Sequence, residues 1–117
     1  MLSSQPQRLD RVFLALGHSV RREILLRLAH GAATVTDIAE PFDLSLNAIS
    51  KHLKVLERAG LIQRQVLGRE HYCHLSPQQL EAASDWLTYY HAFWTSRFDA
   101  MERELITRKR AIAPDKE

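Results

Sequence analysis

The segment SLNAISKHLKVLERAGLI, residues 45–62, predicts a helix with two chemically different sides. At about 100° per residue, its apolar residues point within one arc, and its polar residues point roughly 140° away. The apolar side consists of Leu46, Ile49, Leu53 and Leu56. The polar side consists of Asn47, Ser50, Lys51, Lys54 and Arg58. Ser45 is an N-cap residue and Gly60 a C-terminal stop, so we expect one helix, buried on its apolar side and open on the other.

The polar side has the chemistry of a surface that reads DNA. The amide of Asn47 pairs with adenine, lysines reach guanine or phosphate, and a serine permits close approach. A short helix, TVTDIAE, and a tight turn, EPFDL, precede the segment, as in helix-turn-helix proteins. We therefore predict DNA contacts from Ser45, Asn47, Ser50, Lys51 and Lys54. His52 lies nearer the apolar side, and we interpret it as a structural or phosphate-contacting residue that reads no base.

The remaining chain predicts three further helices and a hairpin. Leu9, Val12, Phe13 and Leu16 recur at helical spacing before Gly17, and HSVRREILLRLAHG forms a second helix. Thr34 and Asp37 form the start signal of the short helix TVTDIAE. After Gly60, two strands flank Leu67-Gly68-Arg69, and Ser76-Pro77 opens a last helix of about 30 residues, ending near Arg110. The prediction is one mainly α domain with a β-hairpin, residues 1–117, of winged helix-turn-helix type, α1-α2-α3-α4-β-β-α5.

Basic residues are concentrated in the fourth helix and the hairpin. The net charge is only +2, but residues 45–75 contain five basic and two acidic residues. Arg64, Gln65 and Arg69 lie near the hairpin tip, where a wing reaches the DNA backbone or an adjacent groove. Charge clustering alone is more typical of a solvated helix face. Its position beside a helix of the recognition type favours double-stranded DNA as the partner.

Three stretches carry a family resemblance over about residues 9–95: ATVTDIAE, LSLNAISKHLKVLERAGLI and GREHYCHLSPQQL. Together they closely resemble the ArsR-type winged-helix repressors of bacteria. The resemblance implies a homodimeric transcriptional regulator that binds an inverted-repeat operator, usually represses, and often leaves DNA when a ligand arrives. The last helix is also similar to a subgroup with a WL…YY…FW pattern and no common effector, present here as Trp86, Leu87, Tyr89, Tyr90, Phe93 and Trp94.

The length and apolar stripe of the last helix predict a homodimer. A helix from Pro77 to about Arg110 would be about 50 Å long, beyond the roughly 30 Å width of a small domain. A second chain related by a twofold axis would cover the stripe, together with the first helix. The predicted interface consists of Leu9, Val12, Phe13, Leu16, Leu87, Tyr90, Phe93, Trp94, Phe98 and Met101.

Metal binding is not expected, and we predict no cofactor. Relatives that sense soft metals carry a Cys-x-Cys pair where this chain has Thr34 and Thr36. On the last helix, Glu81, Asp85 and His91 lack the spacing of the family's second metal site. HYCH in the hairpin places His71 and Cys73 on one side of a strand and His74 on the other. One hypothesis for the hairpin is therefore a metal-responsive or redox-responsive sensor built on His71 and Cys73. The other is an ordinary wing strand with one buried residue.

Other classes of protein fit the sequence less well. No catalytic spacing appears, so an enzyme is not expected. A protein-interaction module would show acidic or apolar residues in place of the Asn, Ser and Lys set. No run of about 18 apolar residues and no signal-like N-terminus is present, so we expect a cytoplasmic protein without membrane contact. The single cysteine, Cys73, excludes an intrachain disulfide.

Overall fold

The computed structural model describes residues 4–112, with side chains for residues 6–111. The chain divides into two compact units, residues 1–83 and 84–117, with the boundary inside the last helix. The elements in order are α1 (Ser4–Leu16), α2 (Ser19–Leu28), β1 (Ala33–Thr34), α3 (Val35–Ala39), α4 (Leu46–Arg58), β2 (Ile62–Leu67), β3 (Glu70–Leu75) and α5 (Pro77–Ile112). The predicted order of four helices, a hairpin and a long helix is confirmed.

Local signals set the ends of the two helices that form the helix-turn-helix. The Thr34 hydroxyl accepts the N–H of Asp37 at 3.1 Å and N-caps α3. The Ser45 hydroxyl accepts the N–H of Ala48 at 3.1 Å and N-caps α4. Each bond satisfies a backbone donor that the helix itself leaves unpaired. Gly60, with φ of +76°, follows α4 in the left-handed conformation that ends a helix.

The core of residues 1–83 is built around α4. Ile49, Leu53 and Leu56 are each 0% exposed, and α4 contacts α1, α2, α3 and β2. The other large side chains that are fully buried include Val12, Ile24, Ile38, Leu61 and Ile62. The predicted buried side of α4 is therefore confirmed for three of its four residues.

Leu46 is the exception, because it is 56% exposed. It is the first residue of α4, and the core covers the helix only from Ile49, one turn later. Helical periodicity gives the direction of a side chain but not where along the helix the core begins, so the prediction for Leu46 was wrong.

A three-stranded antiparallel sheet replaces the predicted two-stranded hairpin. The strand order is β1-β3-β2, with Ala33 paired to Cys73 and Leu67 paired to Glu70. Gly68, with φ of +66°, occupies the turn between β2 and β3. Strand β1 has two residues, too few to show an alternating pattern, and was not predicted. It links the wing directly to the start of α3.

Two arginines of α2 bind the C-terminal end of α1. Arg21 donates from Nε to the carbonyl of Ala15 at 2.7 Å and from Nη2 to the carbonyl of Leu14 at 3.0 Å. Arg22 donates from Nη1 to the carbonyl of Leu16 at 2.7 Å. A helix leaves its last carbonyls unpaired and slightly negative, so guanidinium groups stabilise this end. The contact fixes the angle at which the chain turns from α1 into α2.

In the unit that begins at residue 84, the structure describes the rest of α5. The whole helix has 36 residues, somewhat more than the 30 predicted. Most of its side chains from residue 84 onward are exposed. Within residues 4–112, no helix is both long and apolar enough to cross a membrane.

The difference between Leu56 and Leu46 makes a matched test of this core. Replacing Leu56 with alanine leaves a cavity in a closed core and should lower the free energy of unfolding by about 2–5 kcal/mol. Replacing Leu46 with alanine, on the same helix, should change it by less than about 0.5 kcal/mol. Urea denaturation followed by circular dichroism measures both values, and equal losses would contradict this description of the core.

Candidate nucleic-acid interface

The polar side of α4 is open, as the sequence predicts. Asn47, Lys51, Lys54 and Arg58 are exposed, and Ser50 is half-buried. Ser45, just before the helix, is exposed, although its hydroxyl is used in the N-cap. The helix thus presents one amide and two ammonium groups on the side opposite its buried leucines. These groups are free to make hydrogen bonds with the edges of bases.

An open groove of about 830 Å³ lies between α3, α4 and the wing. The residues that line it are Thr34, Val35, Thr36, Asp37, Ser50, Arg64, Arg69, Glu70, His71 and Tyr72. Three of the predicted DNA contacts, Ser50, Arg64 and Arg69, therefore meet in one place. Gln65 is exposed on β2 but is not part of this lining. The contribution of α3 was not predicted, because the sequence does not reveal that β1 places the start of α3 beside β3.

Arg64 is less free than the sequence suggests. Its side chain is 25% exposed, and its Nε lies 3.4 Å from Oε1 of Glu57 on α4. Nε and Nη2 are buried and donate no hydrogen bond within the described residues. A partly exposed ion pair contributes only about 0–1 kcal/mol to stability. The pair links β2 to the C-terminal half of α4.

The structure places His52 against α2. The residue is half-buried, with Nδ1 3.2 Å from Nη1 of Arg21. Its ring centroid lies 4.5 Å from that of His18. Burial is the main cause that lowers the pKa of His52, and the nearby His18 and Arg21 lower it further. These contacts agree with a structural role for His52.

The aromatic residues of α5 form a ladder along one side of the helix. Trp86 stacks on Tyr90 with centroids 4.9 Å apart, and Trp94 lies 5.9 Å from Tyr90 and 5.6 Å from Phe98. An apolar groove of about 550 Å³ follows this side, lined by Leu87, Tyr90, His91, Trp94 and Phe98. Leu87, Tyr90, Phe93, Phe98 and Met101 are between 42% and 58% exposed. The predicted dimer residues of α5 thus form a continuous apolar surface.

The predicted dimer residues of α1 differ among themselves. Val12 is 0% exposed and belongs to the core of its own chain, so it has no surface to offer a partner and its assignment was wrong. Leu9, Phe13 and Leu16 are half-buried and pack against the same core. Leu14, which was not predicted, is 68% exposed. The helical pattern identified the apolar residues of α1 but did not separate its inner side from its outer side.

The hairpin has the composition of a metal site but not the arrangement of one. Cys73 is fully buried, His71 is exposed and His74 is half-buried. Burial raises the pKa of the Cys73 thiol, although Arg64 nearby acts in the opposite direction. Among the described residues, no three His, Cys, Asp or Glu side chains come together as metal ligands. A thiol that stays protonated is a poor ligand and a slow nucleophile, so the sensor alternative has no support from this geometry.

Comparison with known proteins agrees with this architecture. Residues 16–65 match the model of a helix-turn-helix domain family. HTH-type transcriptional regulator Rv2034 of Mycobacterium tuberculosis is 38% identical over 86 residues, which cover 74% of this chain and 78% of that protein. Transcriptional repressor SdpR of Bacillus subtilis is 35% identical over 68% of this chain and 88% of its own length.

Among solved structures, the ArsR family transcriptional regulator RHA00566 superposes with a TM-score of 0.72 at 36% identity, covering 78% of this chain and 94% of that one. The chain belongs to the ArsR family. It is therefore a DNA-binding transcriptional regulator with a winged helix-turn-helix fold. The resemblance seen in the sequence is confirmed.

A metal titration tests the arrangement of the hairpin. Because Thr34 and Thr36 carry no thiol and Cys73 is buried, zinc, cadmium or arsenite at micromolar concentration should bind without a stoichiometric site. Isothermal titration calorimetry measures this directly. If a tight stoichiometric site did appear, a variant with His71 and Cys73 both replaced by alanine would show whether the hairpin holds it.

Proposed function

We propose that this ArsR-family chain is a homodimeric repressor that binds an inverted-repeat operator. The observation that carries the proposal is the arrangement of α4, where Ile49, Leu53 and Leu56 are buried. Asn47, Lys51 and Lys54 are exposed on the other side. A helix fixed in this way enters the major groove as a rigid reader. Asn47 and Lys51 lie in its N-terminal half, the part that contacts base edges in helix-turn-helix proteins.

The groove between α3, α4 and the wing is suited to the DNA backbone. Arg69 is exposed at the tip of the wing, and Ser50 and the exposed part of Arg64 line the same groove. Contacts to phosphate fix the register of the protein on the duplex but carry no sequence information. We assign Arg64, Gln65 and Arg69 to backbone or adjacent-groove contacts and the polar side of α4 to base recognition.

The apolar surface of α5 is the proposed dimer interface. It contains an open apolar groove and at least five large side chains that are more than two-fifths exposed, which is unusual for a surface that faces only water. A twofold axis places the same surface of a second copy against it, so each stripe covers the other. Leu9, Phe13 and Leu16 of α1 extend the interface. The same axis sets two recognition helices about 34–36 Å apart, one turn of DNA.

Repression and a cytoplasmic location complete the proposal. SdpR of Bacillus subtilis, a relative at 35% identity, is named a transcriptional repressor. A winged-helix dimer seated on an operator blocks other proteins from the same major grooves, which is sufficient for repression. DNA is the partner that the exposed side of α4 fits, and binding it requires a location with access to the chromosome.

Base recognition is tested by alanine substitutions on α4. Asn47→Ala and Lys51→Ala should each weaken binding to an operator by about 1–3 kcal/mol and weaken nonspecific binding less, because base contacts are lost. Lys109→Ala, near the end of α5, is the matched control and should bind normally. Fluorescence anisotropy with an operator duplex and a scrambled duplex measures these differences. Unchanged operator affinity in both α4 variants would show that the assigned surface does not read bases.

The wing should behave differently from α4. Arg69→Ala should weaken binding to operator and scrambled duplexes by a similar factor and reduce the salt dependence of binding by about one phosphate contact. The same anisotropy measurement, repeated at several salt concentrations, gives that slope. A loss confined to the operator would instead assign Arg69 to base recognition.

Dimerisation is tested by a pair of aromatic substitutions on α5. The wild-type chain should sediment at about twice its 13.5 kDa mass at low micromolar concentration. Trp94→Ala should shift the equilibrium toward monomer, because Trp94 lies at the centre of the ladder. Tyr89→Ala is the control, since Tyr89 is 74% exposed and lies outside the apolar groove. A wild-type monomer, or equal behaviour of the two variants, would be incompatible with this interface.

A further inference from the structure

Arg21 connects three parts of the N-terminal unit through one guanidinium group. Nε and Nη2 bind the carbonyls of Ala15 and Leu14 at the end of α1, and Nη1 lies 3.2 Å from Nδ1 of His52 on the recognition helix. The hydrogen bonds to these two carbonyls therefore fix the orientation of the guanidinium that contacts His52. Arg21 and His52 are both half-buried, so the contact between them is partly shielded from solvent.

The hydrogen bonds define the protonation state that this arrangement requires. A guanidinium only donates, so Nδ1 of His52 has to accept and carries no proton. The neighbouring His18 also uses Nδ1 as an acceptor, for the N–H of Val20 at 3.1 Å, and thereby N-caps α2. The two rings lie 4.5 Å apart. Protonation of His52 at Nδ1 would place its new N–H against the N–H of Arg21 Nη1, so the hydrogen bond would be lost. It would also place a positive charge on the ring beside the positive guanidinium of Arg21.

We propose that His52 is a positioning residue whose neutral ring, held by Arg21, sets the orientation of α4, so that operator binding weakens in acid. This inference rests on the proposed function of α4 as the reader of the operator. His52 directly follows Ser50 and Lys51 on the helix. A change in the contact on one side of a rigid helix therefore moves the side chains that face the DNA.

The electrostatic surroundings give the direction of the pH effect. Burial, then His18, then Arg21 lower the pKa of His52 below the usual 6.5. The neutral ring and its bond to Arg21 are therefore fully present at neutral pH, and are lost as the pH falls below about 6.5 through the lowered pKa. The groups that act on His52 from α2 and its N-cap are Arg21 and His18, and α1 reaches the pair through the two carbonyls that Arg21 binds.

A histidine that touched a DNA phosphate would show the opposite behaviour. Its protonated form would be the one that binds, so acid would strengthen binding, and removing it would reduce the salt dependence. A positioning histidine acts on the fit of α4 to base edges. Its loss should weaken specific binding more than nonspecific binding and leave the salt dependence unchanged. The sign of the pH effect therefore separates the two roles.

The experiment uses a fluorescent duplex that the wild-type protein selects from a random-sequence pool at neutral pH. Between about pH 7.5 and about pH 5.5, wild-type affinity for this duplex should fall roughly threefold to tenfold, relative to a scrambled duplex. His52→Leu removes the acceptor and should bind weakly at both pH values. His52→Asn places an amide oxygen near the position of Nδ1, and should recover much of the loss without the pH dependence. His30→Asn, an exposed control after α2, should titrate like wild type.

Nuclear magnetic resonance of the histidine rings gives a readout that does not require DNA. The titration midpoint of His52 should lie below 6.5, the usual pKa of a histidine, and a midpoint at or above that value would overturn the inference. A selected duplex bound equally at both pH values by the wild type would also overturn it, while leaving the proposed function intact. Failure to select any duplex would instead contradict the proposed function, and the inference with it.

Discussion

The burial of Ile49, Leu53 and Leu56 is the constraint on which the rest of the N-terminal unit depends. Burying an aliphatic side chain of this size stabilises a fold by about 1.5–3 kcal/mol, and all three are 0% exposed. Because α4 contacts α1, α2, α3 and β2, most elements of the unit pack against this one helix. Since a helix is rigid, fixing its apolar side also fixes where Asn47 and Lys51 point. Stability and the proposed DNA recognition are therefore requirements on opposite sides of the same 13 residues.

The wing and the N-terminal helices each hold α4 by a polar contact at a different point. Glu57, near its C-terminal end, pairs with Arg64 of β2, and His52, at its middle, meets Arg21 of α2. The core alone permits small rotations of a helix, because apolar contacts have little directionality. Hydrogen bonds and ion pairs are directional, so they select one rotation among those that the core allows. Neither contact needs to add much stability in order to matter for recognition.

Periodicity and capping residues were enough to predict the element order, the N-caps Thr34 and Ser45, and the buried side of α4. These features depend on residues within a few positions of one another, and that information is local. Strand β1, the exposure of Leu46, the burial of Val12 and the contact of Arg21 with His52 were missed, because each depends on residues distant in sequence. The groove shows the same difference between local and distant information. Ser50, Arg64 and Arg69 were each predicted as DNA contacts from the sequence. That they line one groove with α3 depends on the pairing of β1 with β3, which was not predicted.

The two units differ in whether a single chain covers their apolar side chains. Residues 4–83 enclose a continuous core in which Leu61 and Ile62 close the end of α4, although single apolar side chains such as Leu14 stay exposed. The aromatic ladder of α5 has no such enclosure among the described residues, and leaving it in water forfeits about 25 cal/mol for each Å² of apolar surface. In the proposed dimer, a second copy covers the ladder without any new sequence, since a twofold axis places each ladder against the other. The same proposed pairing would set the distance between the two copies of α4. The exposed apolar residues of α5 are thus the ones from which the spacing of the proposed inverted-repeat operator follows.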